Sequence, residues 1–291
     1  MSQRPWRAFL LIFAIQAALF FLVGYVLFGL LKMPRDMADI EALSTIVLFS
    51  VCGVLAYVIA PYFMHLPYGK RKFGEYLADI RLTQVRPFFK LLVLTVSCVL
   101  VLALCQGSGS IVYRLFEGKP ISRAFVANVF DLSLALPPRS MLLLAVFYTM
   151  LEEVAFRGVL LRMLLRRHPA ARAILYSALA FGMFHFPAVF AGRPLLATLG
   201  QVVWATLFGL FYGYLTVETD SLFPAMIIHW LSNVMQSPLT AYWQEATPGT
   251  RILMGIIFGY GLATLVLIPW VRVFSRRWLH PLKAKHQVGE A

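Results

Sequence analysis

A chain of 291 residues that is 60% apolar, with a mean hydropathy of +0.76, lies outside the range of ordinary soluble domains and reads as an all-α, polytopic membrane protein. Its formal charge of +13 is better explained by Lys and Arg collected on cytoplasmic loops than by a nucleic-acid partner. The three cysteines, Cys52, Cys98 and Cys105, all sit in apolar runs and lack metal-type spacing, which argues against a disulfide framework.

Apolar runs of roughly bilayer-spanning length occur at 8–31, 43–65, 88–106, 140–160, 173–192, 195–216, 222–243 and 252–271. They predict about eight transmembrane helices. The first run is too long for a removed signal peptide, and no small-residue cleavage site follows it. With the N-terminus inside, basic residues favour the inner segments by roughly two to one, so both termini are expected in the cytoplasm. Residues 66–87 read as a basic surface link beside anionic headgroups, with a short amphipathic helix near Glu75–Leu82. Residues 107–138 read as an outer loop, and its "GSGS" resembles a serine-nucleophile loop only superficially. The tail "RRWLHPLKAKH" reads as a basic topology anchor.

The charges that break these runs carry the functional signal. At a helix centre each costs about 2.5–3.5 kcal/mol on insertion scales, so such residues usually mark a pathway, a relay or a site. Of the 13 acidic residues, Glu152 and Glu153 alone lie well inside a predicted span, and Arg157 is the one deep basic residue. Glu153 and Arg157 are four apart, in the order that favours an ion pair. His185 closes "FGMFH", with Phe181 four residues earlier on its face, and His229 and Asn233 share a face in "HWLSN". At about 1.5 Å per residue, Glu152, His185 and His229 lie roughly 13, 18 and 10 Å from the inner ends of their spans. One cavity open to the cytoplasm is geometrically possible. Each residue also has a plain structural role available: a buried ion pair, or interhelical hydrogen-bonding partners. Gly209 and Gly213 in "LFGLFYG" read as a close-packing stripe.

A buried carboxylate and a neutral histidine can share and activate one water. A second histidine and an asparagine amide can hydrogen-bond a developing oxyanion. Together these functions suffice for water to attack an amide carbonyl. No serine or cysteine is well placed as a nucleophile, and HExxH is absent.

"EEVAFRG", "FGMFH" and "HWLSN" match EExxxR, FxxxH and HxxxN motifs, in order and on separate helices. The chain therefore resembles the CPBP family, the CAAX prenyl endopeptidase and bacteriocin-processing (Abi-type) membrane proteins, over about residues 140–240. The resemblance implies an eight-helix intramembrane glutamic endopeptidase. Glu152 would activate water, assisted by His185; His229 and Asn233 would form the oxyanion site; Glu153 and Arg157 would support the motif helix. The expected organisation has three parts: N-terminal spans at 1–139 with the basic cytoplasmic loop and the outer loop, marked by hydrophobicity alone; a catalytic core at 140–243; and a last span with the basic tail at 244–291. The resemblance also implies a metal-free site, although Glu152, His185 and His229 are ligand types that suit zinc and leave a metal open. The expected partners are a peptide or protein tail and the lipid bilayer, in a multi-pass bacterial inner-membrane setting. A proton-coupled transporter and a non-catalytic peptide-binding immunity protein are the competing readings.

Overall fold

The computed structural model describes residues 4–24, 26, 30, 50–131, 139–190, 192–243 and 246–279. Among these residues the chain is helical, without strands. In chain order the helices are α1 (Pro5–Gly24), α2 (Ser50–Phe63), α3 (Phe73–Asp79), α4 (Phe88–Phe116) and α5 (Arg123–Val129). Next comes α6, an α-helix over Arg139–Glu153 that turns π-helical over Val154–Leu160 and ends at Leu161–Leu165. Then follow α7 (Ala170–Val189, its last turn a 3₁₀ turn), α8 (Leu195–Thr219), α9 (Phe223–Thr240) and α10 (Pro248–Leu279).

Each predicted span overlaps one of these helices. Four of them, α4, α7, α8 and α10, are long and apolar enough to cross a membrane. The motif residues Glu152, Glu153, Arg157, His229 and Asn233 lower the hydropathy of α6 and α9. Residues 25, 27–29 and 31 of the first predicted run and 43–49 of the second lie outside the described residues.

The chain forms two compact units. The first comprises Met1–Thr83 and Pro137–Pro169, and the second Gln84–Leu136 and Ala170–Ala291.

In the first unit, Phe9 and Phe13 of α1 meet Phe156 of α6 with ring centroids 5.2 and 5.9 Å apart, and Phe13 lies 6.1 Å from Tyr57 of α2. Gly53 lets α2 approach α6, since a Cβ there would stand 2.5 Å from Leu151 Cδ1. The basic link is more ordered than its charge suggests. Glu75 accepts the Lys72 amide and starts α3, whose Tyr76 is buried. Arg71, Arg162 and Arg166 lie 5.4, 5.7 and 5.1 Å from the Tyr68 ring, within cation–π range. Arg166 also donates to the Pro67 carbonyl at 3.2 Å.

The second unit has a core in which Leu, Phe and Tyr side chains of α4, α8 and α10 pack with Ala225 and Ile228 of α9. Lipid tails are as apolar as leucine, so helix association there depends on close packing. The α7–α8 contact meets that requirement with small residues. Gly209 faces the Ala178 backbone and Gly213 faces Ile174, where added Cβ atoms would stand 3.0 and 3.1 Å away.

The structure corrects one expectation. "GSGS" is not in an outer loop but inside α4, which runs ten residues beyond the predicted span end. Gly109 packs under Trp243, and Ser110 donates to the Leu239 carbonyl at 2.6 Å. Its small residues serve helix contact: a full side chain at position 109 would collide with the indole.

Candidate functional site

Glu152 and Glu153 end the α-helical part of α6, just where its hydrogen bonding widens to the π form. Such π segments often occur at functional positions. Both carboxylates are buried, at 3% and 0% exposure, and Arg157 is at 0%. The Arg157 Nη1–H donates to Glu153 Oε1 at 3.0 Å, forming the pair expected from the spacing. Glu152 has a different environment. The phenol of Tyr148, one turn earlier, hydrogen-bonds it, and Tyr57 of α2 lies within electrostatic reach. The two adjacent carboxylates are thus set apart: one faces a guanidinium and the other faces phenols.

In the second unit, Phe181, His185, His229 and Asn233 come from α7 and α9. The Phe181 ring meets both histidines edge-on, with centroids 5.1 Å from His185 and 5.7 Å from His229. His185 Nδ1 lies 3.0 Å from the Phe181 carbonyl. A carbonyl only accepts, so Nδ1 carries the proton and a neutral His185 presents Nε2 as an acceptor. That is the tautomer a water-activating base needs.

His229 is buried at 6%, and its ring stacks on Tyr212 of α8 with centroids 5.0 Å apart and planes 27° apart. The turn between α8 and α9 creates this meeting. Asp220 takes the left-handed conformation, at φ 55°, and ends α8; Ser221 Oγ then accepts the Phe223 amide and starts α9. Tyr212 and His229 stand eight residues before and nine after Asp220, which brings them level on antiparallel helices. The Tyr212 hydroxyl reaches Ser232 Oγ at 3.4 Å, and Ser232 donates to the His229 carbonyl at 2.7 Å. Asn233, one turn beyond His229, is exposed, so its amide is accessible.

Sequence reasoning missed Tyr57, Tyr148, Tyr212 and Trp204, the last lying 6.3 Å from the His185 ring. Tyr148 was findable by its i−4 spacing from Glu152, and Tyr212 by its level across the turn. Within each unit, no three His, Cys, Asp or Glu side chains among the described residues gather as a metal-ligand set.

No curated protein matches the chain closely. Residues 135–235 match the family described as type II CAAX prenyl endopeptidase, Rce1-like. That segment contains all three motifs, from Glu152 to Asn233. Over this segment, about a third of its length, the chain is similar to that family, and the match supports a CAAX-type membrane protease.

Proposed function

We propose that this protein is a glutamic-type intramembrane endopeptidase that hydrolyses a peptide bond near the C-terminal tail of a membrane-associated peptide or protein. The observation that carries the reading is the pair of histidines on either side of Phe181, inside the matched segment, with His185 Nε2 set as an acceptor. Glu152 takes a proton from water, with His185 Nε2 orienting that water, and the oxygen bonds to the scissile carbonyl carbon. The carbonyl electrons move onto oxygen, and His229 with the Asn233 amide stabilises the oxyanion. Collapse of the adduct breaks the C–N bond, and Glu152 returns its proton to the departing amine. Glu153 and Arg157 hold the motif helix, and Phe181 holds the histidines.

The fuller architecture belongs to the same proposal. Eight spans carry both termini on the cytoplasmic side, with 1–139 preceding the catalytic core at 140–243 and 244–291 completing the chain, in a bacterial inner membrane. The overlap of every predicted span with a helix supports this. The metal-free chemistry rests on the resemblance.

The test is cleavage by purified protein of prenylated CAAX-tail peptides and unmodified tails, with and without chelator, read by mass spectrometry. Wild type is expected to cut one class, indifferent to chelator, and Glu152→Gln to lose all turnover. Wild-type turnover in that variant refutes the assignment of the base, and loss with chelator transfers water activation to a metal.

A further inference from the structure

In the first unit three guanidiniums gather on one phenol. The Cζ atoms of Arg71, Arg162 and Arg166 lie 5.4, 5.7 and 5.1 Å from the centre of the Tyr68 ring. They come from separate stretches of chain: Arg71 from the turn between α2 and α3, and Arg162 and Arg166 from the end of α6. A ring has two faces, so at least two of these cations share one, close enough to repel. Asp79 accepts from Arg71, at 2.7 Å from Nε and 3.4 Å from Nη1. Arg166 donates through Nη1 to the Pro67 carbonyl at 3.2 Å, which ties the end of α6 to the turn. A guanidinium has five N–H donors; Arg71 uses two in these contacts and Arg166 one, so both keep donors for a ligand. Both are exposed and Tyr68 is half-buried, so the group is open from outside. Lys70 and Lys72 flank Arg71, and Arg167 follows Arg166, which makes the surroundings strongly basic.

Aromatic side chains on either side of the turn mark what this surface meets. Phe63, at the end of the apolar α2, is 71% exposed, and Phe73, at the start of α3, is 40% exposed. The Tyr62 ring joins them, with centroids 5.3 and 5.2 Å away. Exposed rings next to basic side chains are characteristic of the headgroup level of a bilayer. There a guanidinium fork matches phosphate oxygens two at a time. A headgroup with its own ammonium would bring a further cation to the three arginines, so an anionic headgroup fits better.

We infer that Arg71, Arg162 and Arg166, gathered around Tyr68, bind the phosphate of one anionic phospholipid such as phosphatidylglycerol, with Phe63 and Phe73 beside its acyl chains. Arg162 and Arg166 continue the helix that carries Glu152, Glu153 and Arg157, so the bound lipid also fastens that helix at its end. The site does not depend on the endopeptidase reading, and its test needs no turnover.

The test uses full-length protein, purified in detergent and stripped of lipid. Phosphatidylglycerol or phosphatidylcholine is titrated in, bound lipid is counted by native mass spectrometry, and thermal unfolding is followed in parallel. One phosphatidylglycerol per chain is expected to bind at least about tenfold more tightly than phosphatidylcholine and to raise Tm, tenfold being the scale of one hydrogen bond to a charged group. Arg162→Gln and Arg166→Gln each bring phosphatidylglycerol to the level of phosphatidylcholine; Arg166 is exposed, so that variant keeps its fold. Lys70→Gln removes the same charge from a neighbour outside the ring cluster and keeps the preference. Equal binding of the two lipids overturns the inference. So does a loss in Lys70→Gln as large as in Arg166→Gln, because the attraction then belongs to the whole basic surface. Displacement of the bound lipid by millimolar inorganic phosphate overturns it as well, since the cluster then holds a soluble anion.

Discussion

Substituting one member of the Glu153–Arg157 pair leaves the other charge at a position with 0% exposure. Breaking a buried, hydrogen-bonded ion pair from one side costs about 3–5 kcal/mol, because the survivor keeps its desolvation cost and loses its partner. The two single variants should differ. In Arg157→Met the abandoned carboxylate can take up a proton and become neutral, which caps the loss near the lower end. In Glu153→Gln the guanidinium cannot lose its charge at any accessible pH, so the loss lies near the upper end. The double variant Glu153→Gln/Arg157→Met removes both charges and should cost at least about 2 kcal/mol less than the sum of the singles. At about 2–4 °C per kcal/mol for chains of comparable size, each single variant lowers Tm by roughly 6–20 °C. The assay is thermal unfolding of purified protein in one detergent, followed by tryptophan fluorescence. Additive losses, or Glu153→Gln milder than Arg157→Met, would refute the reasoning and make the pair a surface-like contact worth about 0–1 kcal/mol.

Three further outcomes test other parts of the structure. Gly182→Ala places a Cβ 2.0 Å from Thr206 Oγ1 and 2.6 Å from the Val202 carbonyl, which that hydroxyl already engages at 2.7 Å. It should cost about 1–3 kcal/mol in the same unfolding assay, and a neutral result would mean α7 and α8 are not in this contact. Tyr212→Phe removes the hydroxyl and its 3.4 Å contact with Ser232 and should change stability by less than about 1 kcal/mol; Tyr212→Ala loses the ring under His229 and should cost about 3–5 kcal/mol. Asn233→Ala should lower kcat by about 10²–10³-fold with little change in Tm, since its side chain is exposed, and a loss expressed in Tm would reassign it to helix packing.

The local contacts of the candidate site were legible wherever a single helix defines the relation. Glu153 and Arg157 pair because residues four apart share a face, and His185 reaches back to the Phe181 carbonyl for the same reason. The glycine pair Gly209 and Gly213 announced close packing, and its partners proved to be Ala178 and Ile174. "GSGS" misled because small polar residues mark flexible loops in water, whereas in α4 they mark a helix surface approached by Trp243 and Leu239. Equivalent neighbours in the sequence, Glu152 and Glu153, became distinct only through what surrounds them: phenols for one and a guanidinium for the other.

By itself the sequence determined an all-helical, strongly apolar chain with three polar motifs in order, because hydropathy and the 3.6-residue period are local properties. The tertiary structure alone decided that Tyr212 stacks on His229, that Phe181 touches both histidines, and that Trp204 meets both His185 and Tyr260. Those relations depend on how far packed helices rotate and slide against one another. Those offsets follow from the fit of side chains across helix surfaces rather than from spacing along any one helix.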